Sequence, residues 1–224
     1  MNNRESLKEA IKLTLPIMTG YIFLGFAFGL LMKSKGYPDY YPILMSVFIY
    51  SGALEYAAVP LLAQPFDPIG SFVLGIMLSA RHLFYGLPML DKYKGCKAKP
   101  FLIFGLTDET FSLLSTMEVE KERRSSFYLQ VTAFDYFYWN FGTFLGTMFG
   151  GLVSFSLEGL DFALTALFIV LLIEQMKDRK GRISGMAGLL SSAVVLLVFG
   201  AKNMAIMSMI AILMILLGTR RMIG

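Results

Sequence analysis

The stretch Gly75-Ile76-Met77-Leu78-Ser79-Ala80-Arg81-His82-Leu83-Phe84-Tyr85-Gly86-Leu87-Pro88-Met89-Leu90 sets an arginine and a histidine inside an apolar run. With its flanks, the run is long enough to cross about 30 Å of hydrocarbon at 1.5 Å per helical residue. A charge in hydrocarbon is costly unless it is paired, hydrated or close to an interface. Arg81 and His82 therefore mark either a polar pathway or an internal pair.

The rest of the chain has the same character. Its 224 residues are 56% hydrophobic and 16% charged, with a mean hydropathy of +0.63; a soluble domain carries roughly a quarter charged residues. The apolar runs are continuous and lack the alternation of lipid-facing strands. The expected fold is an all-α integral membrane protein, one domain over 1–224, in a polytopic bundle of six to eight membrane elements. Spans fall at 12–32, 41–62, 68–90, 100–117, 126–152, 161–177, 185–201 and 203–219.

Several function classes are disfavoured. Arg4, Glu5, Lys8, Glu9 and Lys12 read as an amphipathic approach to the membrane, with no small-residue cleavage site behind a short apolar core. The net charge of +4 gathers at the ends of apolar runs, which suits orientation at anionic headgroups and gives no support to nucleic-acid binding. One histidine and one cysteine, Cys96, exclude a histidine-rich metal centre and an intrachain disulfide. Neither a P-loop nor a GxSxG elbow is present, so no enzyme and no cofactor is expected. Met204, Met207, Met209 and Met214 suit packing of apolar gaps, with soft-metal transport as the alternative.

Glycines recur at helical spacing. Gly25 and Gly29 in the first run, and Gly146 and Gly150 in the fifth, line up faces that permit close helix contact, or alternatively a break facing substrate. Gly25-Phe26-Ala27-Phe28-Gly29 precedes Phe48-Ile49-Tyr50 and Glu55, as Gly146-Thr147-Met148-Phe149-Gly150 precedes Phe168-Ile169-Val170 and Glu174. A degenerate repeat of three-helix units, 12–90 and 126–201, would explain this, and inverted repeats place substrate at interrupted helices.

Charge in the loops sets a puzzle. Lys92, Lys94, Lys97 and Lys99 outweigh Asp91 in loop 91–99, and Lys177, Arg179, Lys180 and Arg182 outweigh Asp178 in loop 177–182, so both should face the cytoplasm. If every span crossed, they would fall on opposite sides. A re-entrant 100–117 reconciles them, but it places Arg4, Lys8 and Lys12 outside, where they fit poorly.

The candidate site residues are the polar interruptions. Arg81 can hold a carboxylate without titrating, or else snorkel or pair internally; His82 can carry a proton or donate to a backbone carbonyl. Tyr85 lies one turn from Arg81 and can bind substrate or brace it. Glu55, followed by Tyr56, can balance Arg81, bind an ammonium or accept a proton. Asp108 and Glu109 point in different helical directions. Asp135, Tyr138, Trp139 and Asn140 form a polar-aromatic entry to the fifth run, explained as well by an interfacial aromatic belt. Substrate binding is assigned to Arg81, Tyr85, Glu55, Tyr56 and Asn140; proton coupling or charge pairing to His82, Asp108, Glu109 and Asp135; helix packing to Gly25, Gly29, Gly146 and Gly150.

In Leu15-Pro16, Ser51-Gly52-Ala53-Leu54-Glu55-Tyr56, Ser79-Ala80-Arg81-His82-Leu83-Phe84-Tyr85-Gly86, Leu106-Thr107-Asp108-Glu109-Thr110-Phe111 and Asp161-Phe162-Ala163-Leu164, the chain resembles the AzlC/YgaZ family of branched-chain amino acid permeases. It departs from the family pattern at Glu55 and Ser79. The resemblance implies a large permease subunit of the cytoplasmic membrane, working with a small AzlD/YgaH-like membrane subunit and exporting branched-chain amino acids. Proton coupling is a physical expectation placed beside it. A non-transporting scaffold and a permease for another small solute are the rival readings.

Overall fold

The computed structural model describes residues 3–63, 65, 67–151, 169, 173, 176, 182, 185–198, 200, 207, 208, 211, 214 and 215; the side chains of Asn3, Arg4, Met77, Ala80, Arg81, Leu83 and Phe84 lie outside the description. The chain forms two compact units, Met1–Ala163 and Leu164–Gly224.

Seven helices build the described part of the first unit: α1 (Asn3–Ser34), α2 (Tyr40–Phe48), α3 (Gly52–Leu62), α4 (Pro68–Lys92), α5 (Lys99–Phe104), α6 (Asp108–Thr116) and α7 (Lys121–Phe149). The fold is all-helical, and α1 is long and apolar enough to cross a membrane by itself over Glu5–Ser34. The amphipathic approach expected at the N terminus is the first part of this same helix. Gly36 terminates α1 at φ 81, where Tyr37 N donates to Met32 O at 3.2 Å and Gly36 N to Lys33 O at 3.0 Å. Such a left-handed cap satisfies carbonyls the helix leaves open.

α1 and α7 lie side by side and run in the same direction. Arg123 pairs with Glu9 at 2.8 Å near their N termini, Thr14 Oγ1 lies 3.2 Å from Tyr138 Oη midway, and Gly150 meets Lys33 at their C termini. Interlocking glycines allow the contact. A Cβ on Gly25 would sit 2.6 Å from Trp139 O, one on Gly142 2.5 Å from Ile22 O, and one on Gly146 would overlap Phe26 O. The matched faces are thus a packing seam between these two helices, and Gly150 caps α7.

Between the long helices the chain makes two short helical hairpins. The apolar run 41–62 reads as one span, but Tyr50 adopts φ 47 and splits it into α2 and α3. Left-handed backbone is costly for a bulky residue, so the surroundings must hold it. Ser51 then caps α3 in extended conformation, with its N–H donating to Glu55 Oε1 at 3.0 Å. In the second case Gly105 ends α5, and Thr107 opens α6 by accepting from Thr110 N at 3.2 Å.

The hairpins enter from opposite ends. α2 starts beside Lys33, which pairs with Asp39, and descends until Tyr136 Oη donates to Val47 O at 2.9 Å. From there α3 returns, Glu55 lying against Trp139 and Tyr56 against Phe28. α5 starts near the other end, where Lys97 N donates to Ser125 Oγ, and rises to Phe104 beside Tyr136. α6 comes back to Lys92, whose ammonium donates to the carbonyls of Leu114, Ser115 and Met117 at 3.0, 2.6 and 3.0 Å. Lysine so placed neutralises the open carbonyl end of a helix. The two tips touch, the Tyr50 and Phe104 rings lying 6.0 Å apart. A core of Tyr85, Met89, Tyr93, Leu102, Leu114 and Tyr128 packs the second hairpin between α4 and α7.

In the second unit the described residues include the apolar helix Gly185–Val198, with Ser191 and Val195 buried. The expected spans 161–177 and 203–219 fall largely outside the described residues.

Candidate functional site

Two hydrogen-bonded clusters meet where the hairpin tips meet. In the first, Glu55 is wholly buried and its carboxylate accepts from Trp139 Nε1 at 3.1 and 3.2 Å, Ser51 N at 3.0 Å and Ser46 Oγ at 3.1 Å. Ser46 Oγ also lies 2.7 Å from Thr143 Oγ1. A buried carboxylate is tolerable only when its lone pairs are met in this way.

The second cluster gathers around the start of α6. The Tyr21 hydroxyl donates to Glu109 Oε2 at 2.6 Å and lies 2.7 Å from Thr107 Oγ1. Thr107 lies 3.0 Å from the Thr110 hydroxyl, which donates to Asp135 Oδ2 at 2.7 Å. Asp135 is itself wholly buried. The Tyr21 ring stands edge-on to Trp139 at 5.7 Å and 82°, so one aromatic pair joins the clusters.

The junction retains polar atoms with no hydrogen-bond partner among the described residues: Tyr50 Oη, Ser51 Oγ, Asp135 Oδ1, Thr132 Oγ1 and Asn140 Oδ1. Buried polar groups are normally satisfied, so this concentration marks a place fit for a polar solute. The N termini of α3 and α6 also point into it, each adding a partial positive charge suited to an anionic group.

The sequence-predicted residues fall into several places. Glu55, Glu109 and Asp135 converge on the junction, and Asp108 is half-buried in the same first turn of α6. Asn140 Nδ2 donates to Tyr136 O at 2.9 Å, one turn back in its own helix. Tyr56 donates to Leu24 O at 2.8 Å, spending its hydroxyl on α1. Tyr138 and Trp139 are buried, so the polar-aromatic entry faces the interior and is no interfacial belt at those two positions. Arg81 occupies α4 one turn before Tyr85; its side chain is outside the described set. His82 Nδ1 lies 3.2 Å from Ser79 O, its ring is 5.1 Å from that of Tyr85, and Tyr85 stacks on Phe111 at 5.4 Å.

Beside that aromatic stack is a cavity of about 270 Å³ lined by His82, Tyr85, Leu87, Leu90, Tyr93 and Leu106 among others. Tyr21, Ser46, Tyr50, Thr107, Thr110 and Thr143 carry no individual site signal in the sequence. Hydroxyls in apolar runs are common, and only the Ser51–Tyr56 and Leu106–Phe111 motifs pointed toward them.

A family model described as AzlC protein matches residues 16–153, the region that holds both hairpins. A Bacillus subtilis protein described as branched-chain amino acid transport protein AzlC is 42% identical over 227 residues, covering 99% of this chain and 89% of its own. An uncharacterized membrane protein of Haemophilus influenzae is 36% identical, covering 95% of this chain and 88% of its own. The inner membrane protein YgaZ of Escherichia coli is 29% identical over 77% of this chain and 74% of its own. No solved structure matches the chain.

Proposed function

This chain belongs to the AzlC protein family, a membrane protein with a transport role, and on that premise we propose that it is the large subunit of a secondary permease that exports branched-chain amino acids. Its partner is a small AzlD/YgaH-like membrane subunit, and protons are the coupling ion. The observation that carries the reading is the junction of two interrupted helices, with Glu55, Glu109 and Asp135 beside unspent hydrogen-bonding atoms. Transporters commonly bind solute at such interruptions near mid-membrane.

A zwitterion suits this chemistry. Its ammonium meets the carboxylates, its carboxylate meets the helix N termini and Arg81, and its aliphatic side chain fits the largely apolar cavity beside Tyr85 and Leu106. The carboxylates and Tyr21 supply the proton route, since Tyr21 links Glu109 to the chain that ends at Asp135.

In this reading α1, α4 and α7 cross the membrane, while α2–α3 and α5–α6 are re-entrant. The half-helices of 9 and 11 residues reach roughly 14 and 17 Å, about half of a 30 Å core. Making both hairpins re-entrant puts the N terminus and loop 91–99 on one side, so Arg4, Lys8 and Lys12 join the loop lysines in the cytoplasm. The leading helices α1 and α7 of 12–90 and 126–201 run parallel, which does not favour an inverted relation between those units; the opposed pair is the two hairpins, of which α5–α6 belongs to neither unit.

The test is flux of valine, leucine and isoleucine in liposomes carrying the subunit pair or either subunit alone. Export driven by a proton or amino acid gradient is expected from the pair. No flux under any gradient overturns the proposal, and partner-dependent stability without flux identifies a scaffold.

A further inference from the structure

We propose that a basic cavity at the end of the first unit, far from the hairpin junction, holds the phosphate of an anionic phospholipid headgroup. The cavity, about 470 Å³, lies where loop 91–99 meets the start of α7 and is lined by Asp91, Lys94, Gly95, Cys96, Lys121, Arg124 and Ser125. Three cations face one carboxylate there, which favours an anion.

The walls are held in place. Arg124 donates through Nε and Nη2 to Val119 O at 3.4 and 3.2 Å, fixing the plane of its guanidinium. Ser125 Oγ accepts from Lys97 N at 2.7 Å, tying the loop to α7. An arginine held flat beside two exposed lysines suits a phosphate group.

Location selects a lipid over a soluble anion. The cavity sits where the C terminus of α4 and the N terminus of α7 come together, beside the N-terminal part of α1 that Glu9 ties to Arg123. Ten residues of α7 separate Ser125 from Asp135, roughly 15 Å along the helix. That depth places the cavity at the headgroup layer when the hairpin tips lie in the hydrocarbon. Basic pockets at the cytoplasmic ends of membrane helices recognise headgroups by this combination of charge and depth.

Cys96 is the only cysteine of the chain and lines the cavity, so it reports occupancy directly. The full-length protein in nanodiscs of phosphatidylcholine, with or without phosphatidylglycerol, is alkylated with a neutral maleimide at fixed pH. Phosphatidylglycerol should slow alkylation at least threefold in the unaltered protein. It should do so far less in the combined variant Lys94→Gln, Lys121→Gln, Arg124→Gln, which keeps the general effect of an anionic surface; Lys121→Gln alone serves if that variant does not fold. Equal protection in protein and variant overturns the proposal. Equal protection by millimolar inorganic phosphate in phosphatidylcholine nanodiscs also overturns it, because the site would then take a soluble anion.

Discussion

Tyr50 and Phe104 face each other with ring centroids 6.0 Å apart and planes inclined at 34°, one at the tip of each interrupted helix. Both also pack on Tyr136 of α7, at 4.8 and 6.1 Å, so a single residue of a continuous helix supports both tips. Tyr50 keeps its strained φ because this aromatic cluster holds it. With Cys96 changed to Ser, a Tyr50→Cys, Phe104→Cys pair should be joined within one subunit by a short bifunctional thiol reagent, and the joined protein should lose flux. Failure to join, read by intact mass, would mean the tips do not meet.

The glycine seam predicts an unequal response along α1 and α7. A Cβ at Gly146 meets the Phe26 backbone, which cannot step aside, whereas one at Gly20 has nothing within 4 Å. Overpacking of this kind costs on the order of 1–3 kcal/mol. Gly146→Ala should lower the thermal midpoint in detergent by several degrees and Gly20→Ala should leave it nearly unchanged; equal responses would refute the seam.

Much of this was legible in the chain. The four-residue spacing of Gly25 and Gly29, matched by Gly146 and Gly150, identifies close packing because helical period converts spacing directly into a face. The balance of lysines and arginines in loops 91–99 and 177–182 marks 100–117 as something other than a plain span. The break at Tyr50 was hidden. Its flanks are uniformly apolar, so hydropathy reads 41–62 as one crossing, and the left-handed backbone comes from tertiary support by Tyr136 and Phe104. In the proposed topology, that one missing hairpin accounts for the loop-charge puzzle. The role of Tyr21 and the pairing of Trp139 were hidden for a different reason: their partners Glu109 and Glu55 lie 88 and 84 residues away.

Glu55→Gln separates charge from shape. The carboxylate meets three donor groups, Trp139, Ser51 and Ser46, and an amide of the same size offers only one acceptor oxygen and sets its own donors against theirs. The lost charge-assisted bonds are worth roughly 1.5–3 kcal/mol. The variant should fold with a lowered thermal midpoint, keep measurable substrate binding through Glu109, Asp135 and Arg81, and lose the pH dependence of flux. Undiminished pH dependence in a well-folded variant would remove Glu55 from the proton route.

Cys96 tests sidedness and local electrostatics together. Burial pushes its thiol up, while the Arg124 and Lys99 cations pull the other way. The folded state therefore favours the neutral thiol, and its stability falls as pH rises past the ordinary thiol range. Alkylation of the folded protein should lag that of the unfolded chain at the same pH, and Arg124→Gln should widen the lag by removing an opposing cation. With the N terminus and loop 91–99 cytoplasmic in the proposed topology, an impermeant maleimide should label inverted vesicles and spare right-side-out ones; the reverse pattern would invert that topology.

Arg81 is the proposed anchor of the substrate carboxylate, because a guanidinium gives paired charge-assisted hydrogen bonds and stays charged throughout the working pH range. It stands one turn before Tyr85 on α4, whose ring stacks on Phe111 of the second hairpin at 5.4 Å. Its competitor is a purely structural charge pair, and the two roles differ in what they do to substrate. Arg81→Gln should raise the substrate concentration needed for half-maximal flux by roughly 10- to 100-fold, the worth of such a bond, while assembly with the small subunit stays measurable. A structural pair would instead lower the thermal midpoint and the assembled fraction, with substrate affinity unchanged in the protein that remains folded. Direct binding of leucine to purified Arg81→Gln, measured beside flux, decides between them: full affinity and full flux in a folded variant would end the role of Arg81 in recognition.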